Sequence, residues 1–194
     1  MRLEAPGREH ALRERIIQRV LRLRLGDVPD VIRTCQHRPE FFGKPFLAWV
    51  EAALRGPSRW TQGERELMAA LVSKRNSCAF CIDSHSVTVA SLVDEDTLRA
   101  ALGDDPEASG LAPDLRATLE FIEKLTLSPT DLASADVERA VTAGASAQDL
   151  RDAVEVCAAL NVINRVADAL EFAPQDERSL SGSAKLLTTR GYRA

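Results

Sequence analysis

Reactive and aromatic side chains are scarce in this chain: its 194 residues include four cysteines, three histidines, two tryptophans and one tyrosine. Aromatic residues make up only 5% of it, so large rings cannot dominate its core. No run of about 18 apolar residues marks a membrane span, and the N-terminus lacks the apolar segment and small-residue cleavage site of a secretory signal. The stretch RLEAPGREHALRERIIQRVLRLRL is rich in arginine, but Glu4, Glu9 and Glu14 argue against a mitochondrial presequence and leave an amphipathic helix. An excess of basic residues is missing too: 25 Lys and Arg stand against 29 Asp and Glu, a formal charge of −4, without the basic footprint of a nucleic-acid binder. Neither nucleic acid nor a membrane is expected as a partner, and the cytoplasm is the expected compartment. There a close pair of cysteines points to redox chemistry or a metal before a permanent cross-link.

What the chain does have is helix-forming residues. It is 45% hydrophobic and rich in Ala, Leu, Arg and Glu, which lose little rotamer freedom in a helix, so an all-α fold is expected. Leu12, Ile16, Val20 and Leu23 recur at helical spacing over residues 9–25, and Gly26 supplies a stop. Phe46, Leu47, Val50, Ala53 and Leu54 line a helix that Pro45 begins and Gly56-Pro57 ends. Thr61 with Glu64 reads as a capping box for a helix running to about Lys74, and Ser77 as the cap of the next, with Cys78 in its first turn. Asp94 caps a short helix, GDDPEASG is a loop, and Pro113, Ser134 and Ser146 open three further helices. The organisation expected is an N-terminal amphipathic helix over residues 1–26, a helical domain over 27–173, and a tail over 174–194 that rests on the domain or on a neighbouring subunit.

Two of the four cysteines and one histidine fall within the segment NSCAFCIDSH, residues 76–85. On a helix, positions i, i+3 and i+7 share a face, so Cys78, Cys81 and His85 should converge. The unpaired N–H groups and dipole of a helix N-terminus favour thiolate at Cys78. The i+4 contact with His85 favours Cys81 instead, so spacing alone leaves the attacking sulfur open. Two thiolates and an imidazole are also three of the four ligands zinc takes, with Glu66, Cys157 or water as the fourth, although no second C-x-x-C completes a structural site. Covalent haem is excluded, because Ile82 stands where its histidine would be needed.

The longer stretch GERELMAALVSKRNSCAFCIDSH resembles the core motif of the alkylhydroperoxidase D (AhpD) and carboxymuconolactone decarboxylase superfamily, and most closely its peroxidase-related branch. In that motif a Glu on one helix precedes a C-x-x-C-x-x-x-H on the next. Glu66 precedes Cys78 by the required twelve residues, and the likeness extends to NVINRVADAL and the RGY tail. The resemblance implies an AhpD-like helical domain and a catalytic set of Cys81, Cys78, His85 and Glu66, without metal or organic cofactor. In the implied relay, Glu66 polarises His85, His85 takes the proton of Cys81, and Cys81 attacks a hydroperoxide. Cys78 then captures the sulfenic acid as a disulfide, which an external dithiol reduces. Disulfide reduction is a second reaction open to the same pair. Phe80 occupies a position that can hold a histidine in the family, so a role for a second imidazole does not carry over. A homo-oligomer, trimer or hexamer, is implied as well, and the apolar face of the N-terminal helix and the KLLTTRGY tail would suit its contacts.

A shift of 83 residues lays Glu66 on Asp149, Cys78 on Asn161, Cys81 on Asn164 and His85 on Asp168. This raises the expectation of a duplicated helical hairpin whose second copy holds a network of Asn161, Asn164, Arg165 and Asp168. Cys35 and His37 do not share a helix face, Cys157 reads as core, and Trp49 and Trp60 as anchors. Two readings compete with the enzyme: a non-catalytic redox sensor or partner-binding protein whose C-x-x-C switches conformation, and a Cys2His metal-binding protein.

Overall fold

The structure, a computed structural model, describes residues 12–103 and 110–192. Among them lie ten α-helices and no strand: α1 (Leu12–Leu25), α2 (Asp30–His37), α3 (Lys44–Arg55), α4 (Gln62–Arg75), α5 (Ala79–Ala90), α6 (Glu95–Leu102), α7 (Pro113–Leu127), α8 (Ser134–Thr142), α9 (Ala147–Leu170) and α10 (Glu177–Arg190). The all-α expectation is met. Residues 1–11 of the expected first helix and most of the GDDPEASG loop lie outside the described residues.

The central element is α4. Its six consecutive residues Leu67 to Val72 are all buried, which is why it shows no single apolar stripe: a helix covered on every side is apolar on every side. It packs against α3, α5, α6, α7 and α9. The expected capping box starts it, with Thr61 Oγ1 accepting from the Glu64 N–H at 3.2 Å and Glu64 accepting from the Thr61 N–H at 2.7 Å. Asp94 caps α6, and Ser146 and Asp149 form the equivalent box on α9. The Trp60 indole donates to the Asp149 carbonyl at 2.9 Å, joining the starts of α4 and α9.

The join between α4 and α5 differs by one residue from expectation. Ser77 does not open α5; it closes α4. It takes a left-handed φ of 58°, its N–H reaches the Lys74 carbonyl, and the Cys78 N–H reaches the Ser73 carbonyl at 3.1 Å. That pair of bonds satisfies the last carbonyls of α4 in a Schellman ending. Cys78 is therefore the N-cap of α5, just ahead of its first turn.

Two helices were not foreseen. Helix α2 follows directly on Pro29 in a segment that reads as a stop, and a π-helical turn, Pro39–Gly43, carries the chain from it into α3. A β-carbon at Gly43 would overlap the Cys35 carbonyl, so the approach of these two elements depends on glycine there. Helix α10 buries Ser179 and Ala184 instead of large apolar residues, so no apolar period announces it. It lies against α5 and α1. On α1 the stripe Ile16, Val20 and Leu23 stays exposed, and Leu25 is buried.

The duplicated hairpin does not form. Positions 66–85 span two helices and a reversal, whereas 149–168 lie within the single uninterrupted α9. Asn161 and Asn164 instead serve the first motif: the Asn76 amide donates to their side-chain oxygens at 3.0 and 2.9 Å, and Asn164 donates to Ser73 Oγ at 3.3 Å. Arg165 is exposed and outside that cluster.

Candidate active site

Glu66 sits in the second turn of α4, and none of its surface is exposed. A carboxylate so placed is tolerated only if its oxygens are hydrogen-bonded and its charge is matched. Both conditions are met. Oε2 lies 2.7 Å from Nδ1 of His85 on α5, while Oε1 accepts from Arg55 Nη2 at 2.5 Å and from the Tyr192 hydroxyl at 2.9 Å. Burial by itself would push the Glu66 carboxyl up, but the His85 hydrogen bond and charge and the Arg55 guanidinium outweigh it and hold the group below its ordinary range. With Nδ1 engaged by the carboxylate, a neutral His85 ring carries its lone pair on Nε2.

Arg55 ends α3, and its guanidinium also donates to the carbonyls of Leu54 and Leu187 and stacks 4.9 Å from the centre of the Tyr192 ring. Tyr192 follows α10 by way of Gly191, whose φ of 72° favours glycine. Its backbone N–H donates to the Glu51 carboxylate at 2.6 Å. Burial, and then the neighbouring Glu66 charge, push the phenol well above its ordinary value.

Cys78 is fully buried and Cys81 is 4% exposed, and both are free thiols. They form a hydrogen-bonded pair. The Cys81 thiol donates to the Cys78 sulfur, which with a further bond from the Cys81 backbone lowers Cys78 against burial and the nearby Asp168 carboxylate. The same sharing, with burial, raises Cys81, and an Asn164 side-chain hydrogen bond partly offsets it. Charge is thus favoured on Cys78. Access favours the other sulfur: Cys81, with His85, lines a cavity of about 140 Å³ walled mainly by aliphatic residues including Leu25, Val50, Leu54 and Ile163. Ser84 and Gln175, hydrogen-bonded at 2.7 Å, form a polar margin to it.

The remaining candidates lie elsewhere or pack. Burial raises the Cys35 thiol to about 11. Cys157 sits between Thr126 Oγ1 at 3.3 Å and Asn161 Nδ2 at 3.4 Å. Trp49 packs edge-on to Phe46, and Phe80 edge-on to Phe172 with ring centres 5.2 Å apart. Among the described residues no group of three or more His, Cys, Asp or Glu is arranged to hold a metal. Sequence reasoning missed Arg55 and the part played by Tyr192; the glycine before Tyr192 in the RGY tail was the available signal.

No protein-family model matches the chain. An uncharacterized protein of Bacillus subtilis (strain 168), YdfG, is 28% identical over 106 residues, covering 55% of this chain and 72% of that protein. Among solved structures, an uncharacterized peroxidase-related protein from Silicibacter sp. TM1040 matches with a TM-score of 0.79 and 26% identity, over 92% of this chain and 93% of that one. A second peroxidase-related protein, an alkylhydroperoxidase AhpD core from Ralstonia eutropha JMP134, matches with a TM-score of 0.77 and 25% identity, over 94% and 96%. The debrominase Bmp8, at 17% identity and a TM-score of 0.72 over 91% and 95%, shares the fold alone. The chain has the AhpD-like fold, and its likeness runs to the peroxidase-related branch.

Proposed function

We propose that the chain is a thiol-dependent peroxidase that reduces organic hydroperoxides, with disulfide reduction as a second reaction of the same pair. One observation carries this reading: Cys81 and His85 line one apolar cavity, and His85 is tied from behind to a fully buried, ionised Glu66. His85 takes the proton of Cys81, whose thiolate attacks the outer peroxide oxygen. The O–O bond breaks, Cys81 becomes the sulfenic acid, and the leaving alkoxide takes the proton from His85. Cys78 then attacks the Cys81 sulfur and expels water. Cys78, three residues before Cys81 at the start of α5, stands beside the sulfenic acid for that second attack, and its thiol proton leaves with the expelled hydroxyl as water. An external dithiol reduces the disulfide and resets both thiols.

The reading extends to a homo-oligomer working in the cytoplasm. The exposed stripe Ile16, Val20 and Leu23 on α1 supports a subunit contact, which sedimentation of the purified protein tests. No described helix is long and apolar enough to cross a membrane.

The deciding experiment is a stopped-flow titration of the fully reduced protein with tert-butyl hydroperoxide, followed by peptide mass analysis. Rapid loss of two thiols, a Cys78–Cys81 link and repeated turnover with a dithiol are expected. A link that forms without turnover with any dithiol tried would replace the enzyme with a redox sensor.

A further inference from the structure

The Glu66 carboxylate is shared between two sides. Oε2 faces His85, and Oε1 faces Arg55 and Tyr192. Among the described residues, the titratable and charged groups that bear on it are Arg55 from α3, Arg65 from its own helix, His85 from α5, and Tyr192 from the turn after α10. Each hydrogen bond accepted by Oε1 stabilises negative charge on Glu66 and fixes the plane of its carboxylate. Arg55 has other partners that hold it, two backbone carbonyls and the Tyr192 ring. The Tyr192 hydroxyl donates to Glu66 and is hydrogen-bonded with Arg55 as well, and its place is set by a turn that leaves little freedom. Gly191 has a left-handed φ, a β-carbon there would collide with the Glu51 carboxylate, and that same carboxylate takes the Tyr192 N–H.

We infer that Tyr192 is a positioning residue of the relay: its hydroxyl helps fix Oε1 of Glu66 and so keeps Oε2 directed at Nδ1 of His85. The C-terminal turn, 126 residues from Glu66 in sequence, is thereby part of the site's acid–base setting. This rests on the relay proposed above.

Without the hydroxyl, Oε1 loses one of the groups that fix the carboxylate plane, Oε2 is held less firmly on Nδ1 of His85, and the imidazole supports the Cys81 thiolate less well. The test uses the full chain carrying Cys78→Ser, so that Cys81 is the thiol of the pair that remains. Its rate of alkylation by iodoacetamide, assigned by peptide mass, is followed against pH with and without Tyr192→Phe. Phenylalanine keeps the ring over Arg55 and against the cavity. We expect the rising limb to move up by about one pH unit, a roughly tenfold slower reaction at a fixed pH on that limb. Gly191→Ala, which displaces the turn but keeps the phenol, should move the limb the same way. A uniform fall in rate without a moved limb in Tyr192→Phe, or an unmoved limb in Gly191→Ala with the protein folded by circular dichroism, overturns the inference. Because alkylation needs no peroxide, a moved limb in a protein that fails to reduce hydroperoxides would retain this inference and remove the peroxidase.

Discussion

Glu66 and His85, nineteen residues apart, meet at 2.7 Å across the α4–α5 hairpin, where the carboxylate is wholly enclosed. The contact depends on where the hairpin turns. The Schellman ending at Ser77 sets the phase between the two helices, and thereby which α5 side chain faces the second turn of α4.

Removing the charge at Glu66 should cost both stability and reactivity. Glu66→Gln leaves the Arg55 guanidinium, 11% exposed, without its carboxylate. Breaking a buried pair costs on the order of 3–5 kcal/mol. Denaturant unfolding should show a loss of that order, and peroxide-dependent thiol loss should slow by about 10²–10⁴-fold, the usual worth of a positioned acid–base group.

The same carboxylate makes a pH prediction. Its folded value lies below that of the unfolded chain, so its stabilisation is present above the unfolded value and fades as pH falls through the folded one. The melting temperature of the wild type should therefore drop on acidification below the ordinary carboxylate range of about 4. Glu66→Gln should lack that part of the drop; identical acid profiles would show that Glu66 is not the group responsible.

How much of this was legible in the chain depends on the kind of signal. Thr61, Asp94, Ser146 and Pro113 announce helix starts by local chemistry, and the structure uses each of them. Cys78, Cys81 and His85 were singled out by their spacing within one segment, whereas Glu66 entered through the family resemblance, because its contact with His85 is made between two helices. Arg55 and Tyr192 were not legible, because they reach Glu66 from α3 and from the C-terminal turn through contacts that no short-range pattern records. The 83-residue correspondence misled in form: Asn161 and Asn164 do belong with the motif, as hydrogen-bond partners of Asn76 instead of as a second copy.

The two cysteines should separate by role. Cys81→Ser is expected to abolish peroxide consumption, while Cys78→Ser should leave a sulfenic acid that dimedone traps. Full turnover in Cys81→Ser would remove the assignment. Since the Cys81 thiol is the leading cause of the lowered Cys78, Cys81→Ala should also shift Cys78 alkylation to higher pH, and an unmoved profile would place the cause at the helix start instead.

Asn164 should matter to stability. It is fully buried, accepts from Asn76 and donates to Ser73, so Asn164→Ala strands polar groups in the interior. About 1–3 kcal/mol of destabilisation is expected from denaturant unfolding. Asn164→Asp, nearly the same shape, should be at least as harmful because it adds a charge beside the cysteines.

The cavity should sort substrates by size and polarity. Its volume of about 140 Å³ is close to that of an apolar cavity of about 150 Å³ known to take one benzene molecule. A compact uncharged hydroperoxide such as tert-butyl hydroperoxide fits that space. Hydrogen peroxide also fits but forgoes the gain of about 0.8 kcal/mol per buried methylene. Ile163→Phe, which narrows the cavity from α9, should therefore slow tert-butyl hydroperoxide more than hydrogen peroxide when the two second-order rates are compared in one preparation. Equal slowing of both would mean that the variant disturbs the cysteine pair itself, and no slowing would mean that the peroxide reaches Cys81 by another face.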